Sequence, residues 1–413
     1  MADYDNTGSF RSVAQDSELF HRPVQSFAVK GQAAFLGLCV RLEVPVLNGA
    51  QIMESLRNLA PSGSGTSAFV SGHTGDGWTL DSDVGCANTF PSEWFNKWRS
   101  NRDGSGRLKV RHVCKRIQVS GRSSDSDDSD ARHLASIANE VRILANRSVR
   151  SSANIVALIA VSWCEAPDPK SERFWPHLLL EQAELGTLDA CLTQNNLSKP
   201  TKFMLYRDIL DGLRYLHANG IVHGDLKPQN VLVSHDASVD ERYGLLPIKA
   251  KLCDFGYSVI LSDYHQSLPF RAEMGTWPWT APELDGKTSI PVSLLPSTDL
   301  YSAGLLIVSI VRDGKIPFLG MSKAQVVAAK RENAYVVLDC VFRELGWSHA
   351  LGAPRGLSRE QMGKVFMLVV KSVAPTPENR VGIDDLISGW DEVLRLSIVE
   401  SHRWRGTQCS AAE

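Results

Sequence analysis

The sequence predicts an α+β fold of two lobes, a small strand-rich one followed by a larger helical one. Three observations carry this. β-branched and apolar runs recur up to about residue 183, as in "RLKVRHVCKRIQV", "ANIVALIAVSW" and "HLLLEQA". From residue 200 the apolar spacing turns helical, most clearly in "KFMLYRDILDGLRYLHANG", which ends on a glycine stop. A chain of 413 residues that is 43% hydrophobic can bury two or three packed units, and a strand-rich part joined to a helix-rich part leaves a cleft between them.

Taken in order, residues 1–58 read as an N-terminal extension, polar and aperiodic over its first thirty or so positions. Within it, "AFLGLCVRLEVPVL" (34–47) is expected as a strand and "AQIMESLRNL" as a short helix. The first lobe is expected over 59–183. It starts at the Gly/Ser-dense "PSGSGTSAFVSGHTGDG" and carries a Gly-, Asn- and Asp-rich insertion near 71–106, in which Trp94 and Trp98 stand at i, i+4. "SGRSSDSDDSD" is low-complexity and acidic and predicts a solvated loop. Leu134, Ile137, Val141 and Leu144 then share one helical face, with Asp130 as the N-cap candidate. The second lobe is expected over 184–398, with helices at "DLYSAGLLIVSIVRDG" and "EQMGKVFMLVVKSVA", an insertion at "SHDASVDERYGLLP", and a tail at 399–413.

Composition excludes several classes of function. A net charge of -2 gives no electrostatic basis for binding nucleic acid or an anionic membrane. The N-terminal "MADYDNTGSF" is too polar for a secretory signal, and the apolar stretches "AAFLGLCV" and "LYSAGLLIVSIV" are too short to span a bilayer. Eight cysteines without a CxxC pair, and no His cluster at metal spacing, predict free thiols in a reducing compartment. The expectation is a soluble cytoplasmic or nuclear protein with no nucleic-acid or membrane partner; nothing in the sequence sets its oligomeric state.

The stretch "IVHGDLKPQNVLV" (221–233) carries the chemistry. His223, Asp225, Lys227 and Asn230 stand between two apolar ends that read as buried strand, where charge is costly unless something pairs with it. Downstream come "LCDFG" (252–256) and "GTWPWTAPE" (275–283); upstream stand "GSGTSAFV" (63–70) and a strand lysine, Lys115. Together these motifs, in this order, resemble the serine/threonine branch of the eukaryotic protein kinases over roughly residues 59–390.

The resemblance implies a bilobal protein-kinase-like fold that uses ATP and Mg2+ and acts on a protein partner with a Ser or Thr acceptor. Asp225 then orients or deprotonates the substrate hydroxyl, Lys227 neutralises the transferring phosphate, and Asn230 and Asp254 hold magnesium. Lys115 stands for the lysine that grips the α- and β-phosphates, although His112-Val113-Cys114-Lys115 departs from the family's V-A-I-K. Glu140 is either its ion-pair partner or a solvent-facing helix residue. Leu180 stands as gatekeeper, and the backbone of Glu181 and Ala183 would bond the adenine. Thr276 would fix the catalytic loop, Glu283 would pair with Arg380, and Asp299 would brace the loop from below.

Gly63, Gly65, Ala68 and Val70 form either the phosphate-covering glycine loop or a flexible linker, since Ala68 stands where a third glycine belongs. Two rival functions share the residues. Small-molecule phosphotransferases also carry H-G-D, but lack Lys227 two positions on and the "GT…APE" segment. A pseudokinase scaffold would suit the imperfect glycine loop, but not the intact Lys115, Asp225, Asn230 and Asp254. Finally, many family members carry Arg before the catalytic Asp, to read a phosphate on the activation segment; Gly224 has no side chain to do so. Activity independent of that phosphate is expected, although Ser258, Ser262, Tyr264 and Ser267 offer hydroxyls and Arg271 a substitute cation.

Overall fold

A computed structural model describes residues 31–47, 69–71, 76–80, 112–117, 126–164, 175–236, 238, 245–266, 268–270, 274–284, 289–332, 337 and 358–409. Its first part is a six-stranded sheet in the order β1-β5-β6-β4-β3-β2. The strands are β1 (Val46–Leu47), β2 (Phe69–Ser71), β3 (Asp76–Leu80), β4 (His112–Ile117), β5 (Leu158–Cys164) and β6 (Trp175–Glu181). Only the β1–β5 pairing in this sheet is parallel.

The N-terminal region departs from the sequence reading. "AFLGLCVRLEVPVL" is mostly helix α1 (Gly31–Arg41), and only Val46–Leu47 of it is strand. Phe35, Leu38 and Cys39 recur at the helical i, i+3, i+4 spacing and are buried, whereas Val40 is 73% exposed. The apolar run was therefore a helix face, not a pleat. Because β1 extends the sheet, residues 31–47 belong to the first lobe's core and not to an extension outside it.

Helix α2 (Ser126–Ala145) packs on β5 and β6 and buries Leu134, Ile137, Val141 and Leu144. It starts inside the acidic "SDSDDSD" run that reads as a solvated loop, so Asp130 lies within the helix and is not its N-cap. Aspartate is favoured near the N-terminus of a helix by the helix dipole. The expected insertion near 71–106 also shifts. Ser71 closes β2 and residues 76–80 form β3, so Val70 sits opposite Trp78 on a hairpin. The gap between the hairpin and β4 runs instead over 81–111. The helix expected at "AQIMESLRNL" and the pair Trp94 and Trp98 lie outside the described residues.

After α3 (Arg147–Ser151), the chain crosses the sheet edge and enters the helical part through Glu181, Gln182 and Ala183. Helices α4 (Leu188–Gln194) and α5 (Lys199–Ala218) follow; Ser198 caps α5, and Gly220 ends it at φ +68°. Short ladders surround the motif-bearing loop: β7 (Ile221–Val222), β8 (Val231–His235), β9 (Ile248–Leu252) and β10 (Val259–Ile260), paired β7–β10 and β8–β9. A third ladder joins β11 (Pro269–Phe270) to β12 (Ile290–Pro291).

Helix α6 (Pro296–Val311) is the axis of the second lobe, buried at nearly every position from Thr298 to Ile310. Its apolar run, counted from Val292, reaches Val311 and is longer than the stretch the sequence reading singled out. Most of it is buried inside the protein, as expected of a core helix. Helices α7 (Lys323–Glu332), α8 (Arg359–Ser372) and α9 (Ile383–Cys409) follow; α8 packs on α6, and α9 packs on α5 and α8. Trp390 of α9 is fully buried edge-on to Phe203 and Tyr206, with ring centroids 5.1 and 4.6 Å away. Its Nε1–H donates to the Phe203 carbonyl at 3.0 Å.

Asp208 ties α5 to this scaffold by accepting the Ala250 N–H of β9 at 3.0 Å. Burial pushes its pKa up to about 7, more than that hydrogen bond and nearby Lys249 can offset. An unfolded aspartate titrates near pH 4, so the folded state holds an extra proton between about pH 4 and 7. The contribution of this group to stability is full below that window and is lost as pH rises through it. Asp208→Asn keeps an acceptor without a charge. We expect it to stabilise the protein by about 1–3 kcal/mol at pH 8 and by almost nothing at pH 4.5, read from melting curves at both pH values.

Candidate active site

The motif-bearing residues converge where the two lobes meet. The loop 223–230 starts at the end of β7 and returns into β8 through a single 3-10 turn at Pro228–Asn230. Its backbone is braced from below by Asp299 of α6. That carboxylate accepts the His223 N–H at 2.8 Å, the Gly224 N–H at 2.9 Å, and a 2.8 Å contact from His217 Nε2. Burial alone would raise the Asp299 pKa, but the bonds from His217 and the Gly224 N–H hold it below the usual carboxylate range.

Gly224 adopts φ +79°, a conformation that side chains resist. A Cβ there would lie 2.6 Å from both the Met274 methyl and the Tyr257 carbonyl oxygen. The next residue, Asp225, is 3% exposed. Its Oδ2 accepts from Lys227 Nζ at 2.8 Å and from Asn230 Nδ2 at 2.9 Å. The Asn230 amide also donates to the Asp225 backbone carbonyl at 2.8 Å. Lys227 Nζ reaches on to Thr276 Oγ1 at 2.6 Å, so the two separated motifs are tied through one ammonium. Asp225 Oδ1, by contrast, is buried without a hydrogen-bond partner.

Opposite this loop, Lys115 of β4 is held between two carboxylates. Its Nζ lies 2.9 Å from Glu140 Oε2 and 2.8 Å from Asp254 Oδ1. Burial opposes the lysine charge, yet Glu140 and Asp254 outweigh it and keep the Lys115 pKa above the usual lysine range. Asp254 answers in kind: burial pushes its pKa up, and Lys115 more than offsets this and lowers it. Asp254 sits at φ +63°, a left-handed conformation that typically costs about 1–3 kcal/mol in a non-glycine residue. Glu140 is 2% exposed, which removes its solvent-facing reading.

Above the cleft, Leu180 is fully buried and pairs across the sheet with Val113. The Glu181 side chain accepts from the Ala157 N–H at 2.7 Å and from Lys251 Nζ at 2.6 Å, which fixes the start of the hinge. Ala183 closes a turn by accepting the Gly186 N–H at 3.2 Å. Glu283 and Arg380 form a two-pronged pair, with Nη2 to Oε2 at 2.7 Å. Of the glycine-loop candidates, Gly63, Gly65 and Ala68 lie outside the described residues, as do Ser267 and Arg271. Val70 is on β2, paired with Trp78 of β3.

Residues that the motifs did not announce complete the site. Ser258 Oγ donates to the His223 carbonyl at 2.7 Å. Ser136, Asn139 and Arg142, a polar stripe at i, i+3, i+6 beside the buried face of α2, bond the segment that follows Asp254. That stripe was visible in the sequence as a pattern, but its partner segment was not.

The donor set fits a hard cation. Two amide donations commit the nitrogen of Asn230 and leave its oxygen for other partners, while Asp254 uses only Oδ1 on Lys115. Among the described residues no three His, Cys, Asp or Glu side chains converge on a metal position. A cation here would thus complete its shell with phosphate oxygens and water, a habit typical of magnesium.

Comparison with known proteins points the same way. The family described as "Protein kinase domain" matches residues 108–389, more than half of the chain. Serine/threonine-protein kinase 17A of Oryctolagus cuniculus is 33% identical over 151 residues, 36% of this chain and 34% of that protein. Serine/threonine-protein kinase ste20 of Emericella nidulans is 28% identical over 142 residues, 34% of this chain and 15% of the relative. Serine/threonine-protein kinase/endoribonuclease IRE1a of Arabidopsis thaliana is 36% identical over 144 residues, 33% of this chain and 15% of the relative. The matched stretch thus spans about a third or less of each relative's own length.

The Arg380 guanidinium is buried against Glu283 and stacked 4.9 Å from the Tyr301 ring. Removing its carboxylate strands a charge in the core. Glu283→Ala is therefore expected to cost about 3–5 kcal/mol, measured by urea unfolding; a loss under 1 kcal/mol would show that Tyr301 and the backbone carbonyls suffice.

Proposed function

The chain belongs to the protein kinase family, and we propose that it transfers the γ-phosphate of ATP to Ser or Thr hydroxyls of a protein substrate. The observation that carries this reading is Asp225 Oδ1. Its sister oxygen Oδ2 is engaged by Lys227 and Asn230, while this buried carboxylate oxygen has no partner among the protein's side chains and backbone. The hydroxyl of a phosphate acceptor would satisfy such an oxygen. Among the described residues, the hold of Lys227 on Thr276 joins that carboxylate to the "GTWPWTAPE" platform, on which Trp277 is 43% exposed.

In this reading each side chain has one task. Asp225 Oδ2 is pinned by Lys227 and Asn230, so Oδ1 alone is aimed at the substrate hydroxyl and receives its proton. Lys227 spends two of its three N–H donors on Asp225 and Thr276, and the third serves the transferring phosphate. Lys115, positioned by Glu140, grips the α- and β-phosphates. Asn230 and Asp254 would hold magnesium, which when bound neutralises charge on the phosphate oxygens. The Glu181 carbonyl and the Ala183 N–H would read the adenine, under Leu180. Catalysis is then mostly positioning and electrostatics.

Asp225→Asn should lower kcat by about 10²- to 10⁴-fold while leaving ATP affinity and the melting temperature nearly unchanged, because Asp225 faces the hydroxyl and not the nucleotide. Magnesium-dependent transfer of labelled phosphate to a generic protein measures this, and a near wild-type kcat would sink the role. Asp254→Ala removes a proposed metal ligand. It should abolish the tightening of ATP binding by magnesium, followed by calorimetry with and without the metal; equal tightening in the variant would withdraw Asp254 as a ligand.

A further inference from the structure

Helix α2 carries Glu140, and something must hold that helix inward for Glu140 to reach Lys115. Hydrophobic packing on β5 and β6 fixes one face of the helix. The adjacent polar stripe is fixed by the segment that follows Asp254, at three successive points. Ser136 Oγ donates to the Gly256 carbonyl at 3.2 Å and Asn139 Nδ2 to the Ser258 carbonyl at 2.8 Å. Arg142 then makes a two-pronged pair with Asp263, Nη1 to Oδ2 at 2.7 Å and Nη2 to Oδ1 at 2.9 Å. Both side chains are about 15% exposed, so water screens the pair only partly.

The same segment is fastened on its other side to the catalytic loop. Val259 and Ile260 pair with β7, the Leu261 N–H donates to the Gly220 carbonyl at 2.8 Å, and Ser258 Oγ holds the His223 carbonyl. Residues 256–263 therefore bridge α2 and the loop of Asp225. No side chain projects from Gly224 into this junction, and the Tyr257 carbonyl occupies the space a Cβ there would need.

We propose that Arg142 and Asp263 are positioning residues for phosphate transfer: their ion pair, aided by Ser136 and Asn139, locks α2 to the activation segment and keeps Glu140 on Lys115 without any phosphate on that segment. The inference rests on the kinase reading above. Asp263 supplies from the sequence itself the anionic fork that a phosphorylated hydroxyl would otherwise bring. Neither residue touches nucleotide or substrate; both act through the placement of Lys115.

The test uses full-length protein, phosphatase-treated and verified phosphate-free by mass spectrometry. Two readouts are taken together: magnesium-dependent transfer to a generic protein substrate, and hydrogen exchange of the α2 amides. Wild type should keep its kcat after treatment. Asp263→Asn and Arg142→Gln should each lose about tenfold or more in kcat, with faster exchange in α2 and an unchanged melting temperature. The charge-swapped double variant Arg142→Asp/Asp263→Arg should recover most of both, which shows that the pair itself is at work, while the unchanged melting temperature of the single variants separates positioning from a general structural loss. Should a single variant fail to fold, the swap and the Ser136→Ala/Asn139→Ala variant carry the comparison. The inference is overturned if treated wild type loses tenfold or more, if Asp263→Asn stays within twofold of wild type, or if the swap recovers nothing. If neither treated nor untreated wild type transfers phosphate, the kinase reading fails on its own; α2 exchange in Asp263→Asn still decides whether the ion pair holds the helix.

Discussion

A carboxylate buried in the first turn of an apolar helix sets the terms for the rest of this protein. Asp299 is 1% exposed on α6, where the isolated charge would be prohibitively costly. Its partners are His217 of α5 and the loop above it, which presents two consecutive backbone N–H groups, those of His223 and Gly224. Presenting both bends the backbone into a left-handed turn at Gly224, and that turn faces Asp225 into the cleft. The orientation of the catalytic candidate thus follows from the need to satisfy one buried anion.

A second set of buried charges ties the lobes together. Lys115 comes from the sheet, Glu140 from α2 and Asp254 from just past the end of β9, so both carboxylates find the lysine only when all three elements are docked. Lys227 does the same within the second lobe by joining Asp225 to Thr276. None of these contacts is strong evidence of net stability, because desolvation offsets most of the attraction. Their effect is specificity: they leave one arrangement in which no charge is stranded.

Much of this was legible in the sequence, and the reasons are local. Asp225, Lys227, Asn230 and Asp254 lie in short motifs; the structure joins the first three by hydrogen bonds and sets Asp254 on Lys115. Periodicity located α2, α5 and α6 because their apolar faces are long. The failures are equally physical. A short apolar run such as "AFLGLCV" fits either a pleat or a helix face until its neighbours are known, and α1 resolved as helix. An acidic, serine-rich run looks solvated by composition, yet its aspartates suit the start of α2. The Arg142–Asp263 pair spans 121 positions and has no local signature at all.

The tight fit at Gly224 bears on how such a protein can change over generations. An ancestor or descendant with arginine at this position would need Met274 and the Tyr257 carbonyl moved aside before the first side-chain carbon could enter. Tyr257 is backbone-anchored through its neighbours to β7 and α2, so no single codon change achieves this. Control by a phosphate read at this position would therefore require the backbone at Tyr257 to move as well as residue 224 to change.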